Sequence, residues 1–171
     1  MAAGMSTPAY YIHSLQLQAH PEGGYYASTY RSAEQIEQVA LPARFTGSRL
    51  FSTAIYFLLE GHAYAAFHRI QSDELWHFYD GCCLDIFVLH PNGTSHILRL
   101  GPPSQGGAFQ QWVPAGSWFA AQPVATSGFT LAGCTVAPGF DFADFELAGK
   151  QALLLAFPHR AEWIERYCIL P

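Results

Sequence analysis

His68-Arg-Ile-Gln-Ser-Asp-Glu74, continued by Leu75-Trp-His-Phe-Tyr-Asp-Gly81, is the stretch that decides how this chain reads. Side chains alternate across a β-strand, so His68 and Ile70 share one face, and Glu74, Trp76 and Phe78 share one face after the intervening turn. His77 then points the other way. Closing the two strands into a barrel brings His68 and Glu74 together inside it, walled by Trp76, Phe78 and either Trp118 or Phe119. An imidazole beside a carboxylate in an apolar interior is a metal half-site or an acid/base pair.

Outward from this unit, short apolar or alternating runs recur between Gly, Pro and Asn turns: residues 25–31, 52–59, 63–69, 75–79, 84–89, 95–100, 110–114, 117–121 and 128–136. That rhythm predicts an all-β chain, either an antiparallel sandwich or a closed barrel. Thr7-Pro8 followed by Tyr11, Ile12 and Leu15 predicts an N-cap, a proline in the first turn and one apolar helix face, ending before His20-Pro21. Residues 149–157 and 158–167 read as two short C-terminal helices, with Pro158 setting the break. Gly-Pro-Pro-Ser-Gln-Gly-Gly within residues 100–108 predicts a flexible loop.

The chain has 171 residues, which suits one domain over 1–171 with a single core. Half of the residues are hydrophobic and only 12% are charged, which excludes a largely disordered chain. The net charge of −5, with no Lys/Arg run, argues against nucleic acid or an anionic membrane surface as partner and favours a small polar organic ligand that is neutral or weakly charged. The Met1-Ala-Ala-Gly-Met5 start lacks the basic and apolar regions of a signal peptide, and no apolar run approaches the ~18 residues of a membrane span. A cytoplasmic location is therefore expected. Cys82, Cys83, Cys134 and Cys168 match neither a disulfide framework nor a zinc spacing and read as buried thiols.

Two short motifs have plainer readings. Cys168-Ile-Leu-Pro171 has the outline of a prenylation box, but its terminal proline and the acidic Glu162 and Glu165 fit that reaction poorly. Asn92-Gly-Thr94 matches a glycosylation sequon and is first of all a hairpin turn.

The spacing of His68, Glu74 and Gly81 resembles the first motif of the cupin superfamily, and Pro114-Ala-Gly116 resembles the core of the second. A wider resemblance runs through His20-Pro-Glu-Gly-Gly-Tyr-Tyr26, Ser52-Thr-Ala-Ile-Tyr56, Val113-Pro-Ala-Gly116 and Gly133-Cys-Thr-Val-Ala-Pro-Gly-Phe-Asp-Phe-Ala-Asp-Phe-Glu146. These segments are similar to a functionally uncharacterised subfamily of small cupins, related in fold to deoxysugar-nucleotide epimerases. The resemblance implies a double-stranded β-helix (a jelly-roll-like barrel) and a homodimer built by exchange of the N-terminal strand. It also raises Glu22 and Tyr26 to pocket residues. The cupin pattern places further metal-binding histidines where this chain has Ile70 and Phe119, so two of the usual ligands are missing. The epimerases place an arginine and a glutamate where Gly23 and Ser28 stand, which weakens the case for a nucleotide ligand. The subfamily usually has Arg-Glu at Ala27-Ser28, which implies the loss of a polar contact at the pocket mouth.

Each candidate also has a structural reading. His68 and Glu74 suit a buried polar pair that simply satisfies itself, Trp76, Phe78 and Trp118 suit core, and Glu22 suits a turn. Cys134 reads as packing, and residues 140–146 as a structural run with phenylalanines closing the barrel end and acids facing solvent. Three functions are compatible with this reading. The first is a metal-independent isomerase or epimerase on a carbohydrate-like or carbonyl substrate, with His68 as general base, Glu74 orienting or charging it, and Glu22, Tyr26, Trp76, Phe78, Trp118 and Phe119 around the substrate. The second is a non-catalytic metabolite-binding module. The third is a metal enzyme using a divalent transition metal at His68 and Glu74.

Overall fold

A computed structural model describes residues 7–169, so the Met1–Met5 start and the last residues of the Cys168–Pro171 motif lie outside the described residues. Helix α1 (Pro8–Ser14) begins as its sequence demands: the Thr7 hydroxyl accepts the Tyr10 N–H at 3.2 Å, and Pro8 sits in the first turn, where no backbone donor is needed. The strands follow as β1 (Gln18–Ala19), β2 (Tyr25–Arg31), β3 (Gln35–Ile36), β4 (Arg49–Leu50), β5 (Thr53–Glu60), β6 (Ala65–Arg69), β7 (Asp73–Gly81), β8 (Leu84–Leu89), β9 (Ser95–Leu100), β10 (Gln110–Val113), β11 (Trp118–Pro123), β12 (Phe129–Ala137) and β13 (Glu146–Leu147). Helices α2 (Lys150–Ala156) and α3 (Ala161–Tyr167) close the described chain.

One sheet runs β1-β2-β5-β12-β7-β10 and the other β13-β6-β11-β8-β9, with β3 and β4 paired separately. All strand pairings within the sheets are antiparallel. Phe57, Trp76, Ile86, Val88, Phe119 and Cys134 meet in one core cluster, so the two sheets bury their inner faces against each other. Helices α2 and α3 cover the outer side of the second sheet, where Leu153, Phe157, Ile164 and Tyr167 pack on Phe67, Phe87 and Leu89. This is the all-β barrel with one N-terminal and two C-terminal helices that the sequence predicts.

Two interruptions of strand alternation shape the interior. In β6 and β11, Ala65 faces Ala121 while His68 faces Phe119, so β6 carries one extra residue. Ala65 points into the core, Phe67 turns out toward α2 and α3, and His68 turns back in. In β2 and β5, Ser28 faces Ile55 while Tyr30 faces Ala54, and the extra residue on β2 again reverses the alternation.

Some elements escape a periodicity argument. Strands β1, β3, β4 and β13 have two residues each, too few to show a period of two. The loop over residues 100–108 contains a one-turn helix at Pro103–Gln105, and its base is tied by Gly101 N–H donating to the Ala108 carbonyl at 2.8 Å and Ala108 N–H to the Arg99 carbonyl at 3.0 Å. The acids of residues 140–146 do not all face solvent. Asp144 is buried, and Arg49 binds it with two hydrogen bonds of 2.6 and 2.5 Å.

Candidate functional site

Between the sheets lies a cavity of about 210 Å³, and the chain brings its polar side chains there from distant segments. Glu22 comes from the turn after β1. His20 N–H donates to the Gly24 carbonyl and Gly23 N–H to the His20 carbonyl, both at 3.0 Å. Gly23 has a φ of +113°, and a Cβ there would lie 2.2 Å from the Tyr64 carbonyl oxygen, so the turn requires glycine. The Glu22 carbonyl accepts the N–H of Ala66 at 2.8 Å, which binds this turn to the bulge of β6.

That bulge also orients the histidine. His68 Nδ1 lies 2.7 Å from the Ala66 carbonyl, an acceptor only, so Nδ1 carries a proton. His68 Nε2 lies 3.0 Å from Glu22 Oε2. Two acceptors cannot face each other at that distance, so a proton sits between them and the pair shares it. Burial alone would lower the imidazole pKa. The charge and hydrogen bond of Glu22, then Glu74 and the Ala66 carbonyl, outweigh burial and raise it above its usual 6.5. His20 is the converse case: its Nδ1 accepts the Glu22 N–H at 3.3 Å, and burial, opposed by Glu22 and reinforced by His68, holds its pKa below 6.5.

Glu74 projects inward from β7 into the same cavity. Burial raises its carboxyl to about 7, against the pull of His68 downward; Glu22 adds to the rise, and a hydrogen bond from Cys134 opposes it. Cys134, on the neighbouring β12 opposite Trp76, is itself held well above its usual 9 by burial and by Glu74. It is a protonated donor to Glu74 and a poor nucleophile.

Aromatic rings form the walls. Phe119 stands 4.1 Å from the His68 ring, centroid to centroid, and Phe145 stands 5.4 Å from it on another side. Tyr26 lines the cavity and meets His20 edge-on at 4.7 Å. Phe140, Phe142 and Phe145 come from the segment that the buried Arg49–Asp144 pair holds in place.

Of the residues singled out in the sequence, His68, Glu74, Glu22 and Tyr26 line the cavity and Phe119 backs it. The direct partner of His68 is Glu22, whereas the sequence paired it with Glu74. Trp76 and Phe78 face inward as alternation requires, but they lie in and against the core cluster and outside the cavity wall. Trp118 faces the opposite side of β11 from Phe119 and stacks under Arg69 at 4.4 Å, because adjacent strand residues point apart. His20, Arg31, Cys134, Phe140, Phe142 and Phe145 also line the cavity. The sequence marked Cys134 and the phenylalanines only as packing, and no spacing connects any of them to His68.

The donors do not fit a transition metal. Both ring nitrogens of His68 are engaged within the protein, Ile70 and Phe119 bring only carbon, and no group of three or more His, Cys, Asp or Glu among the described residues is placed to hold an ion.

Residues 9–148 match the family model described as "Cupin superfamily (DUF985)". The chain is 29% identical to the uncharacterized protein YML079W of Saccharomyces cerevisiae over 144 residues, covering 78% of this chain and 71% of the yeast protein. Protein SO0799 from Shewanella oneidensis has a similar structure, with a TM-score of 0.86 and 34% identity over 98% of this chain and all (100%) of that one. A hypothetical protein from Leishmania major superposes with a TM-score of 0.86 at 30% identity, covering 96% of this chain and 100% of that one. With the motifs, the two-sheet barrel and these likenesses in agreement, the chain belongs to the cupin superfamily, in its DUF985 group.

Proposed function

We propose that this cupin is a small-molecule isomerase or epimerase that moves a proton on a carbonyl or carbohydrate-like substrate without a metal. The observation that carries the reading is a single cavity holding two acid/base groups in different environments: Glu74, titrating at about 7, and the proton-sharing His68–Glu22 pair. A general acid or base works best when its proton affinity lies near the operating pH, as burial arranges for Glu74. In this reading the Glu74 carboxylate takes the proton from the carbon beside the carbonyl, and that C–H bond breaks. The His68–Glu22 pair gives its proton to the carbonyl oxygen as an enediol forms. The pair then takes the proton of the neighbouring carbon's hydroxyl while Glu74 returns its proton to the former carbonyl carbon, so carbonyl and hydroxyl exchange places. Phe119, Phe140, Phe142 and Phe145 exclude water and present flat faces to the ligand. The cavity of about 210 Å³ suits a small organic molecule.

A homodimer and a cytoplasmic location belong to the same reading. Support for a dimer comes from the outer face of β7 and β10, where Trp112 sits opposite Leu75 and both are exposed, at 55% and 37%. No helix among the described residues is long and apolar enough to cross a membrane.

The test is proton exchange in deuterium oxide, followed by NMR over a panel of hydroxy-aldehydes, hydroxy-ketones and keto acids. The expected outcome is deuterium at the carbon beside the carbonyl with the natural protein and its loss in both Glu74→Gln and His68→Gln. Saturable binding with no exchange of any panel member would instead support the metabolite-binding reading.

A further inference from the structure

Strand β2 forms part of the cavity wall with Tyr26 and Ser28. Strict alternation would send Tyr30 inward next and Arg31 to solvent. The extra residue between Ser28 and Tyr30 reverses that order: Tyr30 is 53% exposed, while Arg31, opposite Thr53, lines the cavity with Gln18 and Ser28. Bulges re-aim side chains next to binding sites, and this one aims a guanidinium.

The other arginines are spoken for. Arg49, Arg69 and Arg99 bind Asp144, Glu146 and Asp85, and Arg44, Arg160 and Arg166 donate to the Gln71 carbonyl, the Ser95 hydroxyl and the Gln122 amide oxygen. The Arg31 guanidinium makes no hydrogen bond or ion pair among the described residues, nor do the side chains of Gln18 and Ser28 beside it. The exposed end of the cavity thus presents a permanent cation and two neutral polar groups without protein partners among the described residues, while the buried end holds Glu22 and Glu74. Such a gradient accepts an anionic group only at the mouth.

We infer that Arg31 is the anchor for an anionic group, so that the ligand class is a small carbonyl compound bearing a carboxylate or a phosphate ester. Guanidinium matches either anion with two parallel hydrogen bonds. The placement of the reacting carbon toward Glu74 rests on the proposed proton transfer; the preference of Arg31 for an anion is read from binding alone.

The experiment is calorimetric titration of the full chain with two matched probe pairs: pyruvate against pyruvamide, and glycolaldehyde phosphate against glycolaldehyde, with inorganic phosphate as a fifth probe. The natural protein is expected to bind the charged member of at least one pair about tenfold more tightly than its neutral partner, a ~1.4 kcal/mol difference. Whichever pair shows the preference identifies carboxylate or phosphate. Arg31→Gln is expected to bring the two members of that pair to equal affinity, Arg31→Lys to keep part of the preference, and added salt to weaken it. His68→Gln is expected to keep the preference while losing isotope exchange, so failure of exchange alone sinks the proposed reaction and leaves the anchor standing. The inference is overturned if charged and neutral members bind the natural protein equally, if the preference persists in Arg31→Gln, or if no charged probe binds at millimolar concentration.

Discussion

Replacing Glu22 by Gln keeps the shape of the side chain and removes the charge that holds the proton on His68. The two side chains meet at 3.0 Å and are only 7% and 3% exposed, so solvent screens the pair very little. A hydrogen bond to a charged group contributes about 1.5–3 kcal/mol net, and a neutral one about 0.5–1.5. Because Gln retains a hydrogen bond to the ring, the expected cost is about 1–2 kcal/mol at pH 6. The sign with pH follows from linkage. His68 is raised on folding, so its contribution is fully present below pH 6.5 and is lost as the pH rises through the folded value. Above that titration the imidazole is neutral in both proteins, and the substitution relieves a buried carboxylate of its charge, so the cost falls to zero or reverses. Urea unfolding followed by tryptophan fluorescence at pH 6 and pH 9 measures the cost. NMR titration of the imidazole, assigned by its disappearance in His68→Gln, measures the cause: the natural protein should titrate above 6.5, and Glu22→Gln, where burial dominates, below it. An equal cost at both pH values, or titration on the same side of 6.5 in both proteins, would refute the shared-proton pair.

Glu74 rises from 4.5 to about 7 on folding because burial disfavours its charge, so the natural protein loses stability between those values as the pH rises. Glu74→Gln should therefore match the natural protein below pH 4.5 and exceed it above pH 7 by up to ~3 kcal/mol, at about 1.4 kcal/mol per pKa unit, in urea melts across the range. Asp144→Asn leaves the Arg49 guanidinium buried without its carboxylate, and breaking such a pair costs about 3–5 kcal/mol. Thermal and urea unfolding check this, and a cost below ~1 kcal/mol would mean that the pair behaves as an exposed one.

Much of the barrel was legible because its longer strands carry period-two alternation between turn residues. Residues 84–89 and 95–100, for example, were bounded as the structure bounds β8 and β9. His68 and Glu74 were legible as interior groups, since their separation and the parity of Trp76 place them on facing inner surfaces. Trp118 and Phe119 are adjacent, so parity allows only one of them to face in, and the sequence alone does not say which. Alternation gives the inward face of Trp76 and Phe78 but not their depth, because it reports direction and not distance from a cavity. Polarity alone predicts solvent exposure for Asp144, and its partner Arg49 lies too far away in sequence to be paired by any local pattern.

The sequence by itself determined the all-β architecture, the flanking helices and the presence of a polar pair in an apolar interior, since these follow from local periodicity, capping and side-chain chemistry. Tertiary structure decided which carboxylate binds His68, that Cys134 and three phenylalanines share its cavity, and that Arg31 rather than Tyr30 faces the mouth. The physical reason is register. One extra residue in β6 and one in β2 reverse the face of every later side chain on the strand, and a bulge is visible only once the partner strand is in place.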